Sequence, residues 1–503
     1  MVTSQSTDSR PSLDYEAVIG LEVHAQLETE SKMFCSCSSG YVNSPPNTHV
    51  CPVCLGMPGV LPVINRKAVE YTIMTGLALN CTIAEQTKFD RKNYPYPDLM
   101  KGYQISQFDQ PLCSQGWLTI QVDGVDRKIR LNRVHLEEDT ARLVHKDGPD
   151  GERYSQVDVN RSGTALMEVV GEPDLRSAEE ARLYLVKLRT ILQYLGVSTG
   201  NMEEGSFRCD ANISIRPVGS DELNVKVEVK NMNSFRAVYR ALNYELERQI
   251  RALNEGERIV QETRGWVEAK GITVSQRSKE YANDYRFFPE PDLPPMVIDR
   301  AWVKEIRDRL PELPDARLAR FTSQYGLAPN DAEVLVNSKP MADFFEECVS
   351  LTKDSPNVDQ GRRARAVGAW MLGDFSKLLN ARGMEIGESR VSAETLSEML
   401  GLIDNKTLSG KMAKGVFEEM FDTGQSPGRI VKEKGLLQMT DSDEISRAVA
   451  QTVENNPDAV SDFLSGKEQA LTFLVGHVMK VTRGRANPAM VNSLLLEQLN
   501  SRK

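Results

Sequence analysis

Apolar and polar residues alternate along several stretches between residue 14 and about residue 300. AVIGLEVHAQL, GWLTIQVDG, RKIRLNRVHL, ANISIRPV and NVKVEVKN read as β-strands, on their Val, Ile and Leu content and their period of two. Residues two apart in a strand share a face. Glu22 and His24 therefore point one way and Val23 the other. Asp210 shares a face with Asn212, and Lys226 with Glu228 and Lys230, backed by Val225, Val227 and Val229. Further acids stand in strand-like surroundings: Glu137, Glu138 and Asp139 in RLNRVHLEEDTARL, and Glu168 in GTALMEVVGEPD. Carboxylates repeated on a sheet are costly unless they are solvated, paired or bound to cations. Oxygen donors with one imidazole suit Mg²⁺ or Mn²⁺ better than zinc.

Helical spacing interrupts the strands twice. Ser177 is a good N-cap, with Glu180 three residues on in a capping-box pattern. Leu185, Leu188, Ile191, Leu192 and Leu195 follow at helical spacing and Gly196 reads as the stop, which predicts a helix over 177–195. A second helix is expected over about 234–254, ending near Gly256. FFPEPDLPP, 287–295, is Pro-rich and extended, and reads as the exit from a first domain. Beyond about residue 304 helical patterns dominate, as in DARLARFTSQYG, MADFFEECVSL and SAETLSEMLGLI. FDTGQSPGR breaks them at 421–429, and ANPAMVNSLLLEQL offers Asn487 as N-cap and Pro488 as first helical residue. No fixed-period repeat is evident. The predicted class is α+β: a mixed sheet first, then two all-α segments.

A chain of 503 residues fits two to four domains, and 40% hydrophobic residues suffice for sizeable cores. No apolar run reaches the roughly 18 residues of a membrane span, so no membrane association is expected. Residues 1–14 are polar and read as a disordered lead with no export signal, so the cytoplasm is the expected compartment. A net charge of −10 argues against sequence-blind coating of nucleic acid, but local basic patches can still hold one. Eight cysteines in a chain this long make no disulfide scaffold.

Four of those cysteines fall within 20 residues. Cys35-x-Cys37 and Cys51-x-x-Cys54 bracket a 13-residue loop rich in Ser, Pro and Asn, a typical four-thiolate zinc arrangement. Four protein ligands leave no open position, so the expected zinc is structural; His49 is a competing ligand. Cys81, Cys113, Cys209 and Cys348 read as small core residues.

The chain holds no P-loop, no Gly-x-Gly-x-x-Gly after a strand, no Gly-x-Ser-x-Gly elbow and no Gly-x-Cys-x-Gly. VIGLEVHAQLETESKMFC, GMPGVLPV, TKFDRKNYPYPD, GYQISQFDQP, HLEED, MEEGSFRCDANIS, EVKNMNSFRAV and FFPEPDLPP together resemble the GatB/GatE family, the B subunits of tRNA-dependent aspartyl/glutamyl amidotransferases. FLVGHVMKVTRGRANPAMVNSLL resembles the tail domain that the family shares with YqeY-like proteins. The resemblance covers nearly the whole chain. It implies a cradle-shaped domain over 15–303, a helical domain over 304–425 and a YqeY-like tail over 426–503.

The resemblance also implies an activity. The family works as a heterotrimer: a chain of this kind, an amidase subunit, which releases ammonia, and a small third subunit. The assembly turns misacylated Glu-tRNA(Gln) or Asp-tRNA(Asn) into the amide. ATP phosphorylates the side-chain carboxyl, and the released ammonia displaces phosphate. The ligands it implies fall on the acidic strands: His24, Glu138 and Glu168 for one Mg²⁺ or Mn²⁺, and Glu22, Glu138, Asp210 and Glu228 for a second. ATP brings about four negative charges and phosphoryl transfer depends on neutralising them, so divalent cations are needed. Alternation groups Glu138 with Val134 and Leu136, and Glu137 with His135 and Asp139; a bulge would scramble this, so periodicity leaves the pair open. The resemblance favours Glu138. Arg208, Lys226 and Lys230 are candidate phosphate partners, with solvated or ion-paired strand residues as the alternative.

The chain departs from the family pattern in ETRGWVEAKGITVSQRSKEYANDYR, which lacks the second of two arginines often seen after ETR. Lys480, Arg483 and Arg485 form a basic cluster before ANP, a candidate tRNA contact on an acidic chain. The competing reading of the whole is a noncatalytic tRNA-binding scaffold.

Overall fold

The computed structural model describes residues 15–278, 284–351, 359–436, 442–465, 467, 469–482, 486 and 488–501; the expected lead over 1–14 lies outside them. Contacts divide the chain into two units, Met1–Pro314 and Asp315–Lys503.

The first unit is built on a sheet of nine strands. In chain order they are β1 (Tyr15–Gln26), β2 (Thr82–Ile83), β3 (Cys113–Val122), β4 (Val125–Glu138), β5 (Ala165–Gly171), β6 (Phe207–Pro217), β7 (Val227–Met232), β8 (Glu262–Val267) and β9 (Ile272–Ser278). Across the sheet the order is β9-β8-β7-β6-β1-β5-β4-β3-β2. All neighbours run antiparallel except β7 and β8, which are parallel. The mixed sheet and the helical second half agree with the α+β class read from the sequence.

β1 lies inside the sheet, between β6 and β5. Its residues Ile19, Leu21, Val23 and Ala25 are fully buried. They share a core with Leu185, Leu188 and Leu192 of helix Ala178–Leu195 and with Val238, Ala241 and Leu242 of helix Phe235–Asn254. Burial of each large aliphatic side chain stabilises by about 1.5–3 kcal/mol. A slip of one residue would turn that whole row toward water, so the apolar face fixes the register. The same register turns Glu22, His24 and Gln26 to the opposite face.

Both expected helices are present. Ser177 Oγ accepts the Glu180 N–H at 3.1 Å, and Gly196 closes the helix in the left-handed region at φ 66°. The Glu180 carboxylate accepts from Arg176 N at 2.7 Å, one residue before the cap. Ser177→Ala is expected to lower stability by about 1 kcal/mol, read as a lower denaturation midpoint at unchanged m-value.

A small sheet of Asp90–Asn93, Tyr103–Ser106 and Phe288–Pro289 also belongs to this unit. FFPEPDLPP thus returns onto the unit: Phe288 pairs with Arg91, whose guanidinium donates two bonds to buried Glu290 at 2.7 and 2.8 Å. Helix Arg300–Asp308 packs its Val303 and Ile306 into the same core, so the division between units falls after Pro314.

Among its described residues the second unit is helical, from Pro314–Tyr325 to Pro488–Asn500. FDTGQSPGR is the break between helices Gly410–Thr423 and Pro427–Lys434, with Gly424 left-handed at φ 74°. Ile445, Val449, Leu474, Val478, Val491, Leu495 and Leu499 form a core of their own near the C-terminus. Pro488 opens the last helix, while Asn487 lies outside the described residues.

Candidate active site

The polar face of β1 and its neighbours carries the acidic residues. Glu22 stands opposite Asp210 of β6, and His24 lies between Arg208 of β6 and Glu168 of β5. Glu168 stands opposite His135 of β4, and Asn212 opposite Glu228 of β7. These strands line an open cavity of about 1040 Å³.

At its centre three residues converge. His24 Nε2 lies 3.3 Å from Glu137 Oε1 and 3.5 Å from Glu168 Oε2. One donor atom from each of the three falls within 4.8 Å of the others, close enough to share one ion. His135 Nε2 supports the group from the side, 3.3 Å from Glu168 Oε2. Burial disfavours the His24 cation, but Glu168 and Glu137 outweigh it and raise its pKa to about 10. Burial likewise opposes ionisation of both carboxylates. His24 nevertheless holds Glu137 below its ordinary value, and His24 with His135 holds Glu168 well below. The pocket is therefore arranged for two carboxylates and one positive charge.

Glu137 faces this cavity, whereas Glu138, the residue that the resemblance favours, does not. Glu138 points to the other side of β4, where it pairs with Lys101 and accepts Ile105 N–H at 3.0 Å. Alternation at the strand end is regular, so the two side chains must diverge.

The set expected for a second ion is not gathered. Glu138 is on the far face, and the described residues place no metal-sized group at Glu22, Asp210 and Glu228. A lysine is there instead: Lys230 Nζ lies 2.6 Å from Asp210 Oδ2 and 3.2 Å from Glu228 Oε1. Thr263 Oγ1 donates to Glu228 at 2.7 Å, and Asn212 Nδ2 to Glu22 at 2.9 Å. Burial works against the Lys230 cation, but Asp210 and Glu228 hold its pKa above the ordinary lysine value.

Arg208 and Lys230 line the cavity; Lys226 does not. Lys226 precedes β7, is exposed, and borders a separate groove of about 320 Å³. Arg208 is tied to buried Asp139 at 2.9 Å. A third cavity cation, Lys92, comes from the small sheet, where its Nζ lies 5.1 Å from the Tyr285 ring centre. Burial opposes its charge, yet Glu137, Glu168, Tyr285 and Glu22 together raise its pKa. Sequence reading missed Lys92 and Thr263, and placed His135 and Asp139 on the Glu137 face without giving them a role. DRKNYPYPD contained the first, but nothing local says that this short strand faces the acidic row. Thr263 and Gln276 of the ETR segment also line the cavity, whereas residues 279–283 of that segment lie outside the described ones.

The four cysteines are brought together. One Sγ from each of Cys35, Cys37, Cys51 and Cys54 lies within 4.8 Å of the others, with Cys51 and Cys54 at 3.8 Å. A Zn–S bond of about 2.3 Å sets tetrahedral S–S edges of about 3.8 Å, so the cluster fits a structural metal. A hydrogen bond between Cys35 and Cys54 pulls the Cys54 thiol down and pushes Cys35 up. His49 stays outside the group, its Nδ1 3.3 Å from Ser38 O. Cys113, Cys209 and Cys348 are buried and Cys81 is partly buried.

Lys480 is exposed in the last turn of helix Gln469–Val481; Arg483 and Arg485 lie outside the described residues. No helix among the described residues is long and apolar enough to cross a membrane.

Residues 17–304 match the GatB/GatE catalytic domain, and residues 343–499 match the GatB domain of the YqeY type. A B subunit of aspartyl/glutamyl-tRNA(Asn/Gln) amidotransferase from Dehalococcoides mccartyi is 56% identical over 487 residues, 96% of this chain and 99% of the relative. The protein of the same name from Carboxydothermus hydrogenoformans is 56% identical over 486 residues, 97% and 99%. That from Caldanaerobacter subterraneus is 55% identical over 488 residues, 97% and 100%. The chain belongs to the GatB family, the B subunits of aspartyl/glutamyl-tRNA(Asn/Gln) amidotransferases.

Proposed function

We propose that this amidotransferase chain activates the side-chain carboxyl of Glu-tRNA(Gln), Asp-tRNA(Asn) or both, and that the cavity on the polar face of the sheet is where it does so. The observation that carries this reading is the convergence of His24, Glu137 and Glu168 beneath Lys92, Arg208 and Lys230. ATP supplies the phosphoryl group that turns the carboxyl into a species ammonia can displace, and Mg²⁺ or Mn²⁺ supplies the charge that lets two anions meet.

The roles of the chain follow from its charges. His24, Glu137 and Glu168 would hold one divalent ion. Asp210 and Glu228 position the Lys230 ammonium, which takes the place of a second ion. Lys230, Arg208 and Lys92 draw phosphate and carboxylate oxygens onto one face. Ammonia displaces the phosphate and completes the transfer. That ammonia comes from an amidase subunit, and a small third subunit makes up the heterotrimer. Cys35, Cys37, Cys51 and Cys54 hold a structural zinc. The work is placed in the cytoplasm.

The test is amide formation by the assembled enzyme on each misacylated tRNA in turn, with ATP cleavage followed in parallel. Asp210→Ala is expected to lower both together about a hundredfold, because it releases Lys230 from the cavity face. Retention of amide formation in Asp210→Ala would point to the noncatalytic scaffold instead.

For the tail, the proposed tRNA contact is Lys480, Arg483 and Arg485. Replacing all three with Ala is expected to weaken tRNA binding and flatten its dependence on log salt by about two to three units. An unchanged slope removes the contact.

A further inference from the structure

The strand end Glu137-Glu138-Asp139 presents three acids in a row. Glu137 and Asp139 line the cavity, and Glu138 sits behind it. Such a run is ambiguous by its own chemistry. A slip of one residue would bring Glu138 to the position of Glu137 and still place a carboxylate beside His24, in the wrong frame. Buried Val134 and Leu136 set the frame of the strand, and at its acidic end side-chain contacts must hold Glu138 back.

The contacts behind β4 do this. The Glu138 carboxylate, 5% exposed, is held by Lys101 and by Ile105 N–H, and its backbone oxygen accepts Gln104 Nε2 at 2.7 Å. Lys101 is in turn held by the cysteine knuckle. Gly56 of CPVCLG is left-handed at φ 67°, and a Cβ there would stand 2.4 Å from Lys101 Cγ and 3.2 Å from its backbone. A side chain at 56 would collide with Lys101, so the knuckle backbone packs directly against it. A second contact runs through Gly163, at φ 81°, whose Cβ position lies 3.5 Å from Cys54 Cβ and 3.9 Å from Glu138 Oε2. Gly163 N–H donates to Asp139 O at 2.9 Å, and Gly163 O accepts Met33 N–H at 2.7 Å.

We propose that Lys101 and Glu138 are positioning residues which lock the register of the acidic run, and that the four-cysteine knuckle is the abutment holding Lys101 in place. The knuckle then serves the metal triad from the opposite side of the strand without touching a reactant. This inference rests on the reading of His24, Glu137 and Glu168 as ion ligands.

Removing Lys101 leaves a buried carboxylate without its cation. Glu138 then gains by turning toward the cations of the cavity, which displaces Glu137. Removing the Glu138 charge as well abolishes that incentive, while Gln at 138 still accepts from Ile105 N–H. Rescue by the second substitution is therefore the signature of a register lock, and simple structural damage would not produce it.

The experiment is Mn²⁺ binding to the full chain, followed by electron paramagnetic resonance, together with zinc content and a thermal melt for each variant. Lys101→Met is expected to weaken Mn²⁺ binding about 10- to 100-fold, as loss of a supporting residue behind a metal ligand does. Lys101→Met with Glu138→Gln is expected to recover most of the loss. Glu137→Gln serves as the control for the triad itself. If Glu137→Gln leaves Mn²⁺ binding unchanged, the ion-site reading fails and the lock with it. If Glu137→Gln weakens binding but Lys101→Met does not, only the lock fails. A double variant as weak as Lys101→Met alone also overturns the lock.

Discussion

Glu137→Gln is expected to lower amide formation about a thousandfold, while Glu138→Gln in the same assay costs about tenfold. The two residues are adjacent and chemically identical, so the difference must come from where each points. Glu137 lies 3.3 Å from His24 and beside Glu168 in a cavity that also holds three cationic side chains. Removing its charge leaves one carboxylate and one imidazole, and so halves the negative charge the site offers a divalent ion. Glu138 touches no reactant and acts through Lys101 behind the strand. The measurement is single-turnover amide formation at saturating tRNA, repeated over a Mg²⁺ series. High Mg²⁺ is expected to restore part of the Glu138→Gln rate and little of the Glu137→Gln rate. Equal losses in the two variants would contradict the assignment of faces.

The faces themselves were legible in the sequence, because strand alternation is local. It placed Glu22 with His24 and Asp210 with Asn212 correctly, and the caps at Ser177 and Gly196 bounded a helix for the same reason. The choice between Glu137 and Glu138 was not legible. It depends on Lys101 and Ile105, which lie more than thirty residues away along the chain. A resemblance carried across two adjacent glutamates has no means of its own to set the register. The arrangement around the second-ion set was not legible for a related reason. Alternation says that Lys230 shares a face with Glu228, but not that its ammonium would come to rest between Glu228 and Asp210. Lys226 shared that pattern on paper, yet β7 begins only at Val227 and leaves it outside the cavity. Lys92 was hidden more deeply, since its strand belongs to a different sheet. Cysteine spacing was informative because a four-thiolate knuckle closes over one short loop.

Cys54→Ser is expected to reduce bound zinc from about one per chain to almost none after dialysis, because three thiolates and a hydroxyl hold the ion far less well. Bound metal in such sites supplies folding free energy directly, on the order of 10 kcal/mol in small zinc domains. The loop between the cysteine pairs is held by polar contacts, Asn47 with Asp158 and Val159 and His49 with Asn160, and not by an apolar core. Val42 in that loop, and Leu61 and Val63 after the second pair, are each more than two-thirds exposed, and Met57 is half exposed, so apolar burial contributes little around the knuckle. Residues 38–62 are therefore expected to lose amide-exchange protection and become open to protease, while helix Ala178–Leu195 keeps its protection within the large core. The effect should not stop at the knuckle. Gly56 leaves Lys101 with the loop, so Mn²⁺ binding at His24, Glu137 and Glu168 should weaken although no ligand of that site has changed. Retention of one zinc by Cys54→Ser would remove the four-thiolate site. A metal-free variant that exchanges like the parent chain would show instead that the loop is ordered by its own contacts, and zinc would then have no structural role.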